Sequence, residues 1–140
     1  MKLFIFISLA FVIFTGDKLD PKDKVFIIFK ETPGQPNTEE GYAKGILAEY
    51  IKNKSSLILV EKADEADYNF VLYMYAKEQT NMGKIDIIKV ATGTSIFESS
   101  WTVGRAKMYY GYSGVRHAIG TIFNKQILGK YPHIEADNKP

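Results

Sequence analysis

Apolar and polar positions alternate most clearly between Ala66 and Ala76, where β-branched and aromatic residues predominate and neither Gly nor Pro occurs. This pattern predicts a β-strand. Alternate side chains of a strand point to opposite faces. The two faces here are Tyr68, Phe70, Leu72 and Met74 on one side, and Asn69, Val71, Tyr73 and Tyr75 on the other. The first face is almost wholly apolar and the second is mixed, which favours an interior strand with helices on one side.

The chain before this strand predicts a strand, a loop and a helix. Lys24–Lys30 holds a continuous apolar run, which is typical of a strand buried on both faces. A proline-rich loop follows, and Asn37 then suits the N-cap of a helix, with Glu40 at the capping-box position. We expect Gly41 and Gly45 to allow close approach of this helix to the sheet. Its apolar stripe is Tyr42, Ile46, Leu47, Tyr50 and Ile51.

Leu57–Glu61 predicts the second strand, which completes a right-handed βαβ unit with parallel strands. After the central strand, Lys77–Gly83 is polar and ends in a glycine turn, and Lys84–Ala91 and Ser95–Val103 predict two further strands. Short turns join these strands, so they should form an antiparallel meander. The alternation of the last strand places on one face Phe97, Ser99, Trp101 and Val103.

A final helix should begin at Ser113 as its cap and end near Gly129. Its apolar stripe is Val115, Ala118, Ile119, Ile122, Phe123 and Ile127. The predicted fold is α/β (α+β in a stricter scheme), a two-layer sandwich in the order β-α-β-β-β-β-α. It has a mixed five-stranded sheet with both helices on the face that bears Leu72. The single domain spans residues 24–129, between a leader at 17–23 and a flexible tail at 130–140.

Residues 1–16 have the layout of a secretory signal. Lys2 supplies the positive region, an apolar run extends from Leu3 to Phe14, and a polar stretch begins at Thr15. Such a run is short for a membrane span. We therefore expect a periplasmic or secreted protein, and the alternative is an uncleaved signal anchor as the sole membrane attachment.

Composition and charge exclude several kinds of functional site. The 140 residues carry 18 basic and 16 acidic side chains, a formal charge of +2 with no basic stripe, so we expect no nucleic-acid partner. The absence of cysteine excludes disulfides, thiolate metal sites and a catalytic thiol. His117 and His133 do not suffice for a histidine metal site, and Ser113 suits a helix cap better than a nucleophile. We predict no catalytic residue, metal or cofactor.

Tyrosines supply the candidate binding residues. If the helices cover the face with Leu72, then Tyr73 and Tyr75 stand on the open face, and Tyr109, Tyr110 and Tyr112 follow in a segment that suits a strand extension or a loop. Tyrosine brings apolar area and a hydroxyl on a rigid ring, so these residues suit contacts with a protein or glycan. The alternative is that the rings cover the core and the uncovered sheet.

The order strand, helix, strand, and then Ala66-Asp67-Tyr68 opening a long strand, resembles small bacterial envelope domains. These are the amino-terminal domain of TolB, curli-secretion-type lipoproteins and activators of penicillin-binding proteins. The hairpin from Ala91 to Ser99 resembles their segment in which threonine-glycine precedes a strand. The likeness spans about Val25 to Leu128, and it implies a non-catalytic domain that docks to envelope partners or assembles into larger structures. Many such proteins are lipidated at a cysteine that this chain lacks.

The leading hypothesis is therefore an exported, non-catalytic binding or assembly module with an envelope protein or glycan as partner. One alternative is a small hydrolase that uses carboxylates from the acidic run Glu61, Asp64, Glu65 and Asp67. A second alternative is a structural subunit that self-associates through an edge strand.

Export generates the first testable prediction. Protein purified from its native host should have the mass of a chain that has lost about its first 16 residues. Mass spectrometry of the intact protein measures this directly. A full-length product in the cytosolic fraction contradicts export.

Overall fold

The computed structural model describes residues 17–106 and 113–137. Its strands are β1 Lys24–Phe29, β2 Ile58–Leu59, β3 Tyr68–Lys77, β4 Thr80–Lys89, β5 Thr94–Glu98 and β6 Thr102–Arg105. Its principal helices are α1 Glu40–Lys54 and a C-terminal helix, which comprises α2 Gly114–Thr121, a π-helical segment Ile122–Ile127 and α3 Leu128–Lys130. Short 3₁₀ turns lie at Ala63–Glu65 and Pro132–Ile134.

The described strands form one mixed sheet in the order β2-β1-β3-β4-β5, and β6 also pairs with β4. β1 runs parallel to both β2 and β3, whereas β4 is antiparallel to β3, β5 and β6. The parallel pairing of β1 with β2 and the antiparallel meander are both as the sequence predicts. The sheet has six strands instead of five because the predicted fifth strand is divided into β5 and β6.

Both helices pack on the same face of the sheet. Phe70, Leu72 and Met74 of β3 are fully buried in one core with Leu47 of α1 and Ile119 of α2. Burial of large apolar side chains of this kind contributes about 1.5–3 kcal/mol each. The two-layer sandwich and the burial of Leu72 are confirmed.

The division between β5 and β6 is a β-bulge. Glu98 pairs with Asp86 and Thr102 pairs with Gly83, so residues 99–101 of one strand oppose residues 84–85 of the other. The extra residue inverts the alternation of side chains beyond it. Phe97 stays on the helix side, but Trp101 and Val103 move to the opposite face. The predicted common face for Phe97, Ser99, Trp101 and Val103 is therefore wrong after Ser99.

Both ends of the described domain pack more closely than the sequence predicts. Leu19, in the predicted leader, is fully buried, and the Lys18 carbonyl accepts a hydrogen bond from the Tyr68 hydroxyl (2.9 Å). In the predicted tail, Tyr131 and Ile134 are buried in the same core. A ring nitrogen of His133 lies 2.5 Å from the Leu19 carbonyl oxygen, so the two ends meet. The packed domain extends beyond the predicted boundaries at 24 and 129.

Helix α1 differs from the prediction at its start and at its glycines. Its N-cap is Glu39, whose carboxylate accepts from the amides of Gly41 and Tyr42 (2.9 and 2.8 Å) and lowers its own pKa by doing so. Asn37 instead closes the preceding loop by accepting from the Thr32 amide (2.8 Å). Gly45 is exposed, and no atom lies within 4 Å of the position that a Cβ would occupy, so it does not serve close packing.

Gly83 also departs from expectation, and the close approach expected at Gly41 and Gly45 occurs at a different glycine. Gly83 lies inside β4, and the turn before that strand is made by Glu78, which has φ 57°. Close approach of helix and sheet occurs at Gly104 of β6, where any Cβ would overlap the carbonyl oxygen of Gly114. Glycine is therefore required where the C-terminal helix begins against the sheet.

Ser99 generates a stability prediction. Its buried hydroxyl accepts from the Ile85 amide (2.9 Å) at the bulge. Ser99→Ala leaves this buried N–H without its acceptor and should lower the free energy of unfolding by about 1–3 kcal/mol. Urea denaturation measures the change. The neighbouring exposed Ser100→Ala should stay within about 0.5 kcal/mol of wild type, and equal losses in both variants would contradict the role of Ser99.

Candidate functional site

The open face of the sheet, opposite the helices, carries Tyr73 and Tyr75. Both side chains are half-buried, and their β4 neighbours in register are Lys84 and Met82. Tyr109, Tyr110 and Tyr112 lie outside the described residues. The structure therefore brings together two of the five tyrosines that the sequence singles out.

Trp101 joins these tyrosines. Its ring centroid lies 6.1 Å from that of Tyr73 and 5.3 Å from that of Tyr75, with interplanar angles of 63° and 67°. Such edge-to-face contacts are favourable beyond the area that they bury. Trp101 nevertheless remains 41% exposed. We call Tyr73, Tyr75 and Trp101 the aromatic platform.

Sequence reasoning missed Trp101 as a member of this group because regular alternation assigns it to the same face as Phe97, which the structure places on the helix side. The available signal was the pair Ser99-Ser100, which interrupts the apolar pattern directly before the tryptophan. A polar break of this kind is compatible with a bulge, but the inversion depends on the register with β4.

An ion pair lies beside the platform. Lys84 Nζ lies 5.6 Å from the centroid of the Tyr73 ring and 5.7 Å from that of the Trp101 ring, within the range of cation–π contacts. The same ammonium forms an ion pair and a hydrogen bond with Glu98, which raises the pKa of Lys84. The two opposite charges offset one another, so the platform presents rings beside a paired charge.

Gln126 holds the bulge from the helix side. Its side-chain oxygen accepts from the Ser100 amide (3.1 Å), and its amide nitrogen donates to the Thr102 hydroxyl (3.0 Å). Gln126 belongs to the π-helical segment, whose wider turn presents this side chain to the gap between β5 and β6. These bonds fix the residues on both sides of Trp101.

Apolar side chains continue from the platform across the open face. Val71 is 6% exposed, and Phe26, Ile28 and Ile88 are half-buried. No described helix or strand covers this side of the sheet. The buried side-chain oxygen of Asn69 has no hydrogen-bond partner among the described residues.

The acidic run is exposed throughout, and two of its members line different clefts. Glu61 lines a groove between β1 and α1. Asp67 accepts from the Lys24 amide (2.9 Å) at the rim of a second cleft of about 330 Å³. Asp20 and Asp23 also line this cleft. Burial raises the pKa of Asp23 in this cleft.

Tyr68 borders the same cleft, and burial with nearby aspartates raises its pKa to about 12. Its hydroxyl already donates to the Lys18 carbonyl. The cleft thus consists of groups that join the amino-terminal segment to the sheet.

Ser113 and His117 serve the structure of the C-terminal helix. The Ser113 hydroxyl accepts from the Arg116 amide (3.1 Å) as the N-cap, which is as predicted, and also from the Tyr42 hydroxyl (2.8 Å). His117 Nδ1 accepts from the Arg105 amide (3.0 Å). Neither residue contacts the other in the way that a nucleophile and its base would.

Metal-binding clusters and membrane-spanning helices are both absent from the described part of the chain. In residues 17–106 and 113–137, no group of three or more Asp, Glu or His side chains is placed to hold a metal ion. None of the helices within these ranges is both long and apolar enough to cross a membrane.

Comparison with known proteins gives a likeness of fold. No protein family matches the sequence, and no curated protein matches it. Among solved structures, the chain is similar to TolB from Acinetobacter baumannii, with a TM-score of 0.45 and 11% identity. The similarity covers 78% of this chain and 30% of the TolB chain, so this chain corresponds to a minor part of that protein.

The two hydrogen bonds of Gln126 at the bulge, which we call the clamp, generate a prediction about Trp101, the sole tryptophan of the chain. Gln126→Ala removes the acceptor of the Ser100 amide, at a cost of about 0.5–1.5 kcal/mol for each hydrogen bond lost. Trp101 should then loosen, and its fluorescence emission should move to longer wavelength with lower anisotropy. The exposed neighbour Lys125→Ala is the matched control. An unchanged emission spectrum in Gln126→Ala would show that the rings hold Trp101 without the clamp.

Proposed function

We propose that this protein is an exported, non-catalytic binding module, and that the aromatic platform is its contact surface. The observation that carries the proposal is Trp101, which packs against Tyr73 and Tyr75 yet keeps 41% of its surface exposed. A partly exposed tryptophan held by two other rings suits an interface anchor, because Trp and Tyr are enriched among the residues that contribute most to binding.

Pre-organisation supports this function. Each ring of the platform already contacts another ring, and Gln126 is hydrogen-bonded to the Ser100 amide before Trp101 and to the Thr102 hydroxyl after it. Binding therefore immobilises few additional side-chain rotors, which reduces the entropic cost of association. A rigid β-sheet beneath the rings adds to the same effect.

The charges favour an uncharged or weakly charged contact region on the partner. Lys84 is paired with Glu98 beside the rings, so the platform has little charge of its own to offer a strongly anionic or cationic ligand. Apolar surface together with hydrogen-bonding groups suits a protein surface or the carbon–hydrogen face of a glycan. The apolar run at Leu3–Phe14 supports a periplasmic or secreted location for such a partner.

The test replaces Tyr73 and Tyr75 by Ser together. We expect retention of the protein on envelope extract and on purified cell-wall polysaccharide to weaken at least about tenfold, equivalent to about 1.4 kcal/mol, while the melting temperature stays unchanged. Val90→Ser, at an exposed apolar residue away from the platform, is the control and should bind as wild type.

Two outcomes of this experiment would contradict the proposal. If the tyrosine variant loses stability and its binding falls in proportion, the rings act as cover for a sheet that lacks a third layer. Wild-type binding by the stable variant would also refute the platform as the contact surface.

A further inference from the structure

On the side away from β3, only the first part of β1 is hydrogen-bonded to a described strand. β2 pairs with Lys24 and Val25, and the last bond of this ladder runs from the Val60 amide to the Val25 carbonyl (2.9 Å). β1 itself continues to Phe29. In residues 17–106 and 113–137, no strand lies beside this remaining part of β1 on the β2 side.

The alternation of the ladder identifies the backbone groups at this gap. The Lys24 carbonyl accepts from Asp67 (2.8 Å) and the Lys30 amide donates to Leu72 (2.9 Å), both on the β3 side. Like Lys24 and Lys30, the even-numbered residues of β1 direct their backbone N–H and C=O groups toward β3. The odd-numbered residues direct theirs toward β2. Ile27 and Phe29 therefore each direct an N–H and a C=O into the gap. Backbone groups of this kind are normally paired in folded proteins.

A groove of about 330 Å³ lies at this edge. Its apolar lining comes from β1, α1 and the chain at and after β2, and consists of Phe26, Ile27, Ala48, Leu59 and Val60. Lys44 of α1 and Glu61 add one charge of each sign to the lining. Phe26 belongs to the open face and Ile27 to the helix side, so the lining comes from both faces of the sheet. An added strand sends alternate side chains to both faces and would meet apolar groups on each.

We infer that this slot takes an extended peptide segment of a partner protein, which adds a strand beside β1. The N–H and C=O groups directed into the gap select an extended backbone, and the apolar part of the lining selects apolar side chains, while Lys44 and Glu61 leave room for polar ones beside them. Helix α1 bounds the slot on one side and the chain after β2 bounds its end. A single flexible segment therefore fits better than the sheet edge of a second folded copy. The slot lies at the β2 edge, so this inference does not rest on the aromatic platform.

Amide exchange in the full chain is the first experiment. In the free protein, the amide hydrogens of Ile27 and Phe29 should exchange at least about tenfold faster than those of Phe26 and Ile28, which bond to β3. Exchange followed by NMR gives each rate. Equal protection of all four amides contradicts the inference. Protection that disappears on deletion of residues 1–16, or on dilution of a dimer, also overturns it, because the occupant is then this chain.

Selection of random decapeptides on phage supplies the probe for the second experiment. We expect enriched peptides to protect the Ile27 and Phe29 amides and to bind Gly45→Leu at least about tenfold more weakly. Gly45 lines the slot and has open space at its Cβ position, so leucine should enter the groove. The fold should persist, since leucine also favours the helix more than glycine does.

Asn53→Leu adds the same side chain to the other flank of α1 and is the matched control. Two versions of a selected peptide should be compared, one N-methylated at its odd-numbered residues and one at its even-numbered residues. One version should lose binding and the other should keep it, because only one of the two sets of amides faces β1. Failure to enrich any peptide, equal binding by Gly45→Leu and Asn53→Leu, or equal loss of binding in the two methylated versions would each overturn the inference.

Discussion

The structure depends on the burial of one face of β3 beneath both helices. Phe70, Leu72 and Met74 meet side chains of α1 and of the C-terminal helix in a single core. Since both helices are committed to this side, the described elements leave no layer for the other face. The hydrophobic effect that builds the core therefore also creates an open apolar sheet, and the aromatic platform occupies that sheet.

The bulge between β5 and β6 decides what this open face presents. One additional residue turns Trp101 away from the core and toward Tyr73 and Tyr75. The local loss of ladder hydrogen bonds is offset by side chains, since Ser99 accepts from the Ile85 amide and Gln126 accepts from the Ser100 amide. The bulge is thus stabilised by contacts on the helix side, and its effect is to place Trp101 on the open face.

The two edges of the sheet differ in how they are completed. At one edge, β5 and β6 share β4 and are joined through the bulge. At the other, β2 ends while β1 continues, which leaves backbone groups of Ile27 and Phe29 directed into a groove. The proposed binding module would thus have two chemically distinct means of contact, the ring surface and the separate edge of β1. The platform offers apolar area, and the edge offers directional hydrogen bonds.

Local patterns in the sequence determined the elements and much of their arrangement. The alternation from Tyr68 to Tyr75 determined the central strand and its buried face, and Ser113 determined the start of the last helix, because strand period and helix capping act over a few residues. Tertiary structure decided the rest. The register of β4 with both β5 and β6 decided the face of Trp101, and packing of Leu19 against the carboxyl-terminal residues decided the limits of the domain. Such contacts join residues that are far apart in the chain, and no local pattern encodes a single-residue slip or a meeting of distant segments.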